Sequence, residues 1–183
     1  MGRGPRFQLA EYTNSDFDRG TSVFKEIVWL SVSGIFVESW LPGSSWRCLV
    51  LRLFGANIGA GVNIKPGVKV KFPWRLSVGH DCWIGEGVWI DNLDFVSIGH
   101  DVCISQGAYL CTGSHDWASE DFQLITKPIV VEDHVWIASQ VCIAPGAKLN
   151  TGVVVGMGAL VRGEIESDHL CLADSRAPTM KKK

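Results

Sequence analysis

The sequence contains no Cys-x-x-Cys pair, although six cysteines are scattered along its 183 residues. Lacking short disulfide spacings, it does not read as a disulfide scaffold, and reduced thiols in a cytoplasmic protein are expected. Basic clusters are scarce too. The formal net charge is −2, and the only cationic run is Lys181, Lys182 and Lys183. A general nucleic-acid binder needs clustered Lys and Arg to neutralise phosphates, so that class is set aside. Nor is there an apolar run of the ~20 residues that a bilayer-spanning helix requires. The most apolar stretch, 27–37, is bracketed by Glu26 and Glu38, which suits a buried helix or peripheral membrane association through an N-terminal helix. Charged residues are only 20% against 46% hydrophobic, a balance that favours a packed core over disorder.

What the chain does have is a period of six. From Val131 onward, Ile137, Ile143, Leu149, Val155 and Val161 follow at intervals of six residues, and small apolar side chains such as Val135, Val141, Ala147, Val153 and Ala159 stand four places after each. The same grid holds at Ile58/Val62, Ile64/Val68, Val78/Cys82, Ile84/Val88, Ile98/Val102 and Ile104/Ala108. Neither the 3.6-residue helix nor the alternating strand spaces side chains this way. One short strand plus one tight corner does, and stacked units of that kind make a mainly β solenoid that needs capped ends. Two interruptions stand out. Eight residues separate Ile90 from Ile98, so 92–95 is expected to bulge outward, and twenty-one separate Leu110 from Val131, so a loop at about 116–128 leaves the prism. Loops that interrupt a rigid scaffold tend to carry function.

Ahead of the repeats, 1–22 reads as an irregular polar arm and 23–40 as a helix ended by Pro42-Gly43. Ser44 or Ser45 is expected to cap a second helix through Phe54. The expected organisation is an arm and helical cap over 1–54, a solenoid over 55–166 and a tail over 167–183.

The grid, together with Leu51-Arg52-Leu53-Phe54-Gly55-Ala56, Trp83-Ile84-Gly85-Glu86, Trp89-Ile90-Asp91-Asn92-Leu93, the run from Ser105 to Asp116 and Val135-Trp136-Ile137, resembles the hexapeptide-repeat acyltransferases, and within them the colanic acid and exopolysaccharide acetyltransferase branch. The resemblance covers about residues 50–166. It implies a left-handed parallel β-helix, a homotrimer with grooves between prisms, acetyl-CoA lying along the coils and His115 as catalytic base. The chemistry asks for such a residue. A sugar hydroxyl is a poor nucleophile, and imidazole, with its ordinary pKa of ~6.5, suits removal of its proton as it attacks a thioester.

For CoA the resemblance points to Ala138, Ser139, Met157 and Arg162, with Trp136 walling the groove and the cationic tail (Lys181 onward) near its phosphates. Acceptor-binding candidates are Asp91, Asn92 and Asp94 at the bulge, with Glu86 nearby. Two departures matter. The sugar-contacting Asn of the galactoside and maltose enzymes aligns with Gly85, and the usual Gly-x-Pro-Ala stretch near the C-terminus is replaced by Ala173-Asp174-Ser175-Arg176-Ala177-Pro178. Two rival readings remain. His80 and His100 share a corner position and should stack, as in a trimeric β-helix metalloenzyme like the γ-type carbonic anhydrases, but no third His falls in register and no metal is required. A non-catalytic scaffold would have no use for His115 in its motif.

Overall fold

The computed structural model describes residues 8–10, 12–173 and 180–181, the last two by their backbone alone. Each hexapeptide pair of inward side chain and corner side chain turns the chain through one corner of a triangular prism, and three such units close a coil. The first face consists of Asn57–Ile58, Leu76–Val78, Val96–Ile98, Ile129–Val131, Lys148–Leu149 and Glu164–Ile165. The second holds Asn63–Ile64, Trp83–Ile84, Cys103–Ile104, Trp136–Ile137, Val154–Val155 and His169–Cys171, to which Met180–Lys181 adds antiparallel. Lys69–Val70, Trp89–Asp91, Tyr109–Cys111, Cys142–Ile143 and Leu160–Val161 make the third. Apart from that terminal pairing, strands within each face run parallel, one coil above the next.

Side chains of the grid fill the prism. Ile84, Ile104, Ile137 and Val155 form one inner ladder and Ile90, Leu110, Ile143 and Val161 another, all essentially inaccessible to solvent. The outer ladders differ between faces. On the first face Ser77, Ser97, Val130, Lys148 and Glu164 stand in line, and Lys148 pairs with Glu164 at 3.1 Å. The second exposes Trp83, Cys103, Trp136 and Val154, and the third Trp89, Tyr109, Cys142 and Leu160. One face is polar and two carry aromatics.

The cap differs from expectation in its turns. The first helix, α1, spans Val23–Val32 with Ser22 as a side-chain N-cap, but it does not continue to residue 40. At Ser33–Val37 it widens to a π-turn in which the Glu38 amide donates to the Ser33 carbonyl, and Ser33 Oγ donates to the Glu38 carboxylate. The second helix, α2, spans Ser45–Leu53. Ser44 precedes it without capping it. Its hydroxyl instead donates to the Val62 carbonyl and accepts the Ile64 amide, tying the cap to the first coil. Arg47, wholly buried, donates to the carbonyls of Val37, Ser39, Leu41 and Gly43 and so supplies donors for a segment without regular structure. Outward on α1 stand Val23, Phe24, Ile27 and Leu30. Among the described residues no helix is long and apolar enough to cross a membrane.

Stacking makes different demands on different glycines. A methyl group on Gly79 would run into the backbone of Gly99 one coil on, whereas Gly87 has open space and only a φ of +66° to accommodate. Gly87→Ala should therefore cost about 1–2 kcal/mol, the ordinary penalty of a left-handed residue. Gly79→Ala should cost clearly more, because two backbones must part. Urea midpoints of the two variants check this order.

Candidate active site

The long interruption is a built hairpin. Gly113–His115 pairs antiparallel with Leu124–Thr126, so the excursion starts before Asp116 and its base is held by a register of His115 against Leu124. At the strand end the His115 ring is clamped. Its Nδ1 lies 2.8 Å from the Phe122 carbonyl oxygen. A carbonyl only accepts, so Nδ1 must carry the proton, and Nε2 is left as the basic nitrogen. The Phe122 ring stacks on the imidazole at 4.3 Å with planes 6° apart, and Tyr12 meets its edge at 5.4 Å. Phe122 presents that carbonyl from φ +50°, a region a bulky residue adopts only under constraint.

His115 opens on a cavity of about 240 Å³ whose walls include Tyr12, Asn14, Phe17, Leu93 and Leu124. The polar arm thus does more than precede the repeats: it roofs the imidazole. Trp74 Nε1 donates to the Arg19 carbonyl at 2.8 Å, and Arg75 donates to the carbonyls of Asp18 and Leu93, stapling arm to solenoid. Tyr12, Asn14, Phe17 and Phe122 escaped the sequence reading. Their only signal was the density of polar groups around Asn14, because contacts across a hundred residues have no local pattern.

The expected acceptor residues divide. Asp94 lies at the same corner as His115, its amide on Thr112 Oγ1 and one carboxylate oxygen on the Phe95 amide. Asp91 accepts the Tyr109 hydroxyl at 2.9 Å, and burial, then hydrogen bonding to Cys111 and Asp91, pushes that phenol far above its ordinary range. Asn92 is a correction. It does not bulge outward but is fully buried, accepting the Phe72 amide at 2.9 Å and donating to the Phe72 carbonyl at 2.7 Å. Its amide completes the backbone of the coil before it and, being inaccessible, does not reach a sugar.

Glu86 is exposed at the corner between the second and third faces, away from the corner of His115. Trp136, half exposed, donates Nε1 to Ser105 Oγ at 3.1 Å. With Ala138, Ser139 and Met157 it lines a groove of about 530 Å³ beside that same second–third corner. Small side chains there leave room for an extended ligand, and Trp136 with Met157 supplies apolar wall. Arg162 follows the strand Leu160–Val161 and so falls at the third–first corner, apart from that groove. The side chain of Lys181, and all of Lys182 and Lys183, lie outside the described residues. So within one chain two sets form: His115 with Asp94 on one corner, and Glu86, Trp136, Ala138, Ser139 and Met157 about another.

His80 and His100 do stack, with centroids 3.7 Å apart. The ladder is structural: His100 Nδ1 accepts the His80 amide at 3.0 Å, and Asp133, in register where a third His would stand, accepts the His100 amide at 2.7 Å. Among the described residues no group of three or more His, Cys, Asp or Glu is placed to hold a metal ion. His134 stands exposed near Asp101, and His169 is partly buried.

Solved structures share this fold. A maltose O-acetyltransferase from Clostridium difficile 630 superposes with a TM-score of 0.78 at 19% identity, covering 87% of each chain. A hexapeptide-repeat acetyltransferase from Vibrio cholerae, solved with acetyl coenzyme A, gives 0.76 at 23%, over 88% of this chain and 90% of that one. No family model matches the sequence. The architecture these structures share with the chain is that of the hexapeptide-repeat β-helix. The protein named as colanic acid biosynthesis acetyltransferase WcaF in Escherichia coli (strain K12) is 39% identical over 155 residues, 84% of this chain and 85% of that one. With that identity over that span, the chain belongs to the hexapeptide-repeat acetyltransferase family.

The Asn92 assignment has a direct consequence. Asn92→Ala strands a buried donor and a buried acceptor on Phe72, each worth about 1–3 kcal/mol, so the variant should lose roughly 2–6 kcal/mol of stability. Equilibrium unfolding measures it; a sugar-binding role without a structural one would leave stability unchanged and raise only the acceptor KM.

Proposed function

We propose that the protein transfers an acetyl group from acetyl-CoA to a hydroxyl of a sugar in exopolysaccharide biosynthesis, with His115 as general base. The observation that carries this is the Nδ1 contact to the Phe122 carbonyl, which in the neutral ring puts the proton on Nδ1 and makes Nε2 the basic nitrogen of a residue that lines the cavity. There Nε2 takes the proton of the acceptor hydroxyl as its oxygen attacks the thioester carbonyl. The C–S bond then breaks, the thiolate of CoA leaves, and the proton held on His115 returns to it. A thioester is already activated, so direct attack asks for no covalent enzyme intermediate and no metal ion.

The residues present fit a pantetheine arm in the groove of Trp136, Ala138, Ser139 and Met157. Since that groove and His115 stand on different corners, one chain does not complete the site. A homotrimer supports the chemistry: in a closed ring each chain's His115 corner meets its neighbour's groove, and two aromatic outer faces are available for burial while the polar first face stays in water. Arg162 and the Lys181–Lys183 tail are the cations this reading assigns to CoA phosphates, and Asp94 and Glu86 the carboxylates it assigns to the acceptor. Six unpaired cysteines support a cytoplasmic setting. The outward Phe24, Ile27 and Leu30 of α1 support peripheral contact with a membrane surface.

Replacing His115 by Ala should leave coils, assembly and CoA binding in place, since no rung depends on the imidazole. Acetyl transfer should fall by about 10²–10⁴-fold. Thiol release from acetyl-CoA with a sugar panel, alongside calorimetric CoA binding, checks both halves. A folded His115→Ala protein transferring acetyl at the normal rate contradicts the proposal.

A further inference from the structure

A second cavity, about 500 Å³, adjoins the His115 cavity, and Asn14, Phe17 and Leu124 line both. The smaller space has room for little more than one pyranose ring. The larger extends it outward between the arm, the bulge and the hairpin, reaching Asp94, Phe95, Asp121 and Gln123. Two aromatic rings, Phe17 and Phe95, offer surface for the apolar face of a sugar. Around them stand acceptors and donors: the Asn14 amide, which makes no side-chain hydrogen bond among the described residues, the Gln123 amide and four carboxylates, Asp16, Asp18, Asp94 and Asp121. The Ser119 hydroxyl and the Gln123 amide hold the Asp121 carboxyl below its ordinary range, so it is charged near neutrality. Among the described residues the only cation on this wall is Arg75, whose guanidinium is spent on the carbonyls of Leu93 and Asp18.

We propose that this outer cavity is a second acceptor subsite, which takes an uncharged sugar ring next to the ring being acetylated at His115. The acceptor is therefore an oligosaccharide or glycoside of at least two rings rather than a free monosaccharide. Carboxylates pair with ring hydroxyls, and the aromatic floor stacks beneath them. The same carboxylates repel a uronate or a phosphate at that position, because among the described residues no unengaged cation lines the outer cavity to offset the negative field. This assignment rests on the acetyl-transfer reading of His115.

The test compares three acceptors by thiol release: the methyl glycoside of a neutral hexose, the corresponding neutral disaccharide glycoside, and the disaccharide whose second ring is a hexuronate. The neutral disaccharide should exceed the monosaccharide in kcat/KM by about tenfold or more, and the uronate form should lose that advantage. Gln123→Ala and Phe95→Ala should bring the ratio of disaccharide to monosaccharide toward one, and Asp121→Asn should narrow the gap between neutral and uronate disaccharides. Equal kcat/KM for one ring and two removes the subsite, and a preference for the uronate form removes the uncharged class; either result leaves the His115 mechanism standing. Absence of acetylation on every acceptor contradicts that mechanism and this inference together.

Discussion

Each coil of this protein must lie on the next in register, because the backbone hydrogen bonds of a coil are made to its neighbours rather than within itself. A six-residue unit keeps that register: one inward aliphatic, one small corner residue, a tight turn. Where the unit is exact, as from Val131 to Val161, the inner ladders are closed to solvent. Where it is broken, something else must take over the pairing. At the bulge it is the Asn92 amide, which bonds both polar groups of the Phe72 peptide unit. At the corners it is side chains such as His100 and Asp133, each accepting an amide of the coil before.

The same constraint locates the chemistry. The regular coils alone offer only open grooves beside their corners, such as that of Trp136 and Ser139. The insertion after Leu110 leaves the ladder, folds into a hairpin and holds His115 between Phe122 and Tyr12. Rigid coils below and a stapled arm above fix the imidazole from both sides, so its orientation is set before any substrate arrives. The clamp also chooses the tautomer, which is what the base role proposed for His115 depends on.

The solenoid was legible because its cause is periodic and local: hexads alone locate the inner ladders, and both interruptions fall where the spacing slips. That His115 stands at the base of an insertion was legible from the larger slip; its role as general base is proposed. The structure of the arm was not, since Tyr12, Asn14 and Phe17 reach His115 by tertiary contact alone. Asn92 was misjudged for a related reason. An Asn in an irregular turn looks like a surface residue until the neighbouring coil shows an amide and a carbonyl in need of partners. The single long helix over 23–40 failed at Ser33 and Gly34, where a hydroxyl competing for local partners and a residue without Cβ make the turn easy to widen.

His115 and the groove of Trp136 and Ser139 belong to different corners of one chain, and in the proposed reading they meet only between chains. The proposed sharing between chains is measured most directly by subunit complementation. Two inactive variants would be refolded together, His115→Ala with its groove intact and Ser139→Arg with its groove blocked but its base intact. Mixed assemblies should recover a substantial fraction of acetyl transfer, because some interfaces combine an intact base with an intact groove. Mixed trimers that form and stay as inactive as either parent would contradict the account, placing base and groove in the same chain.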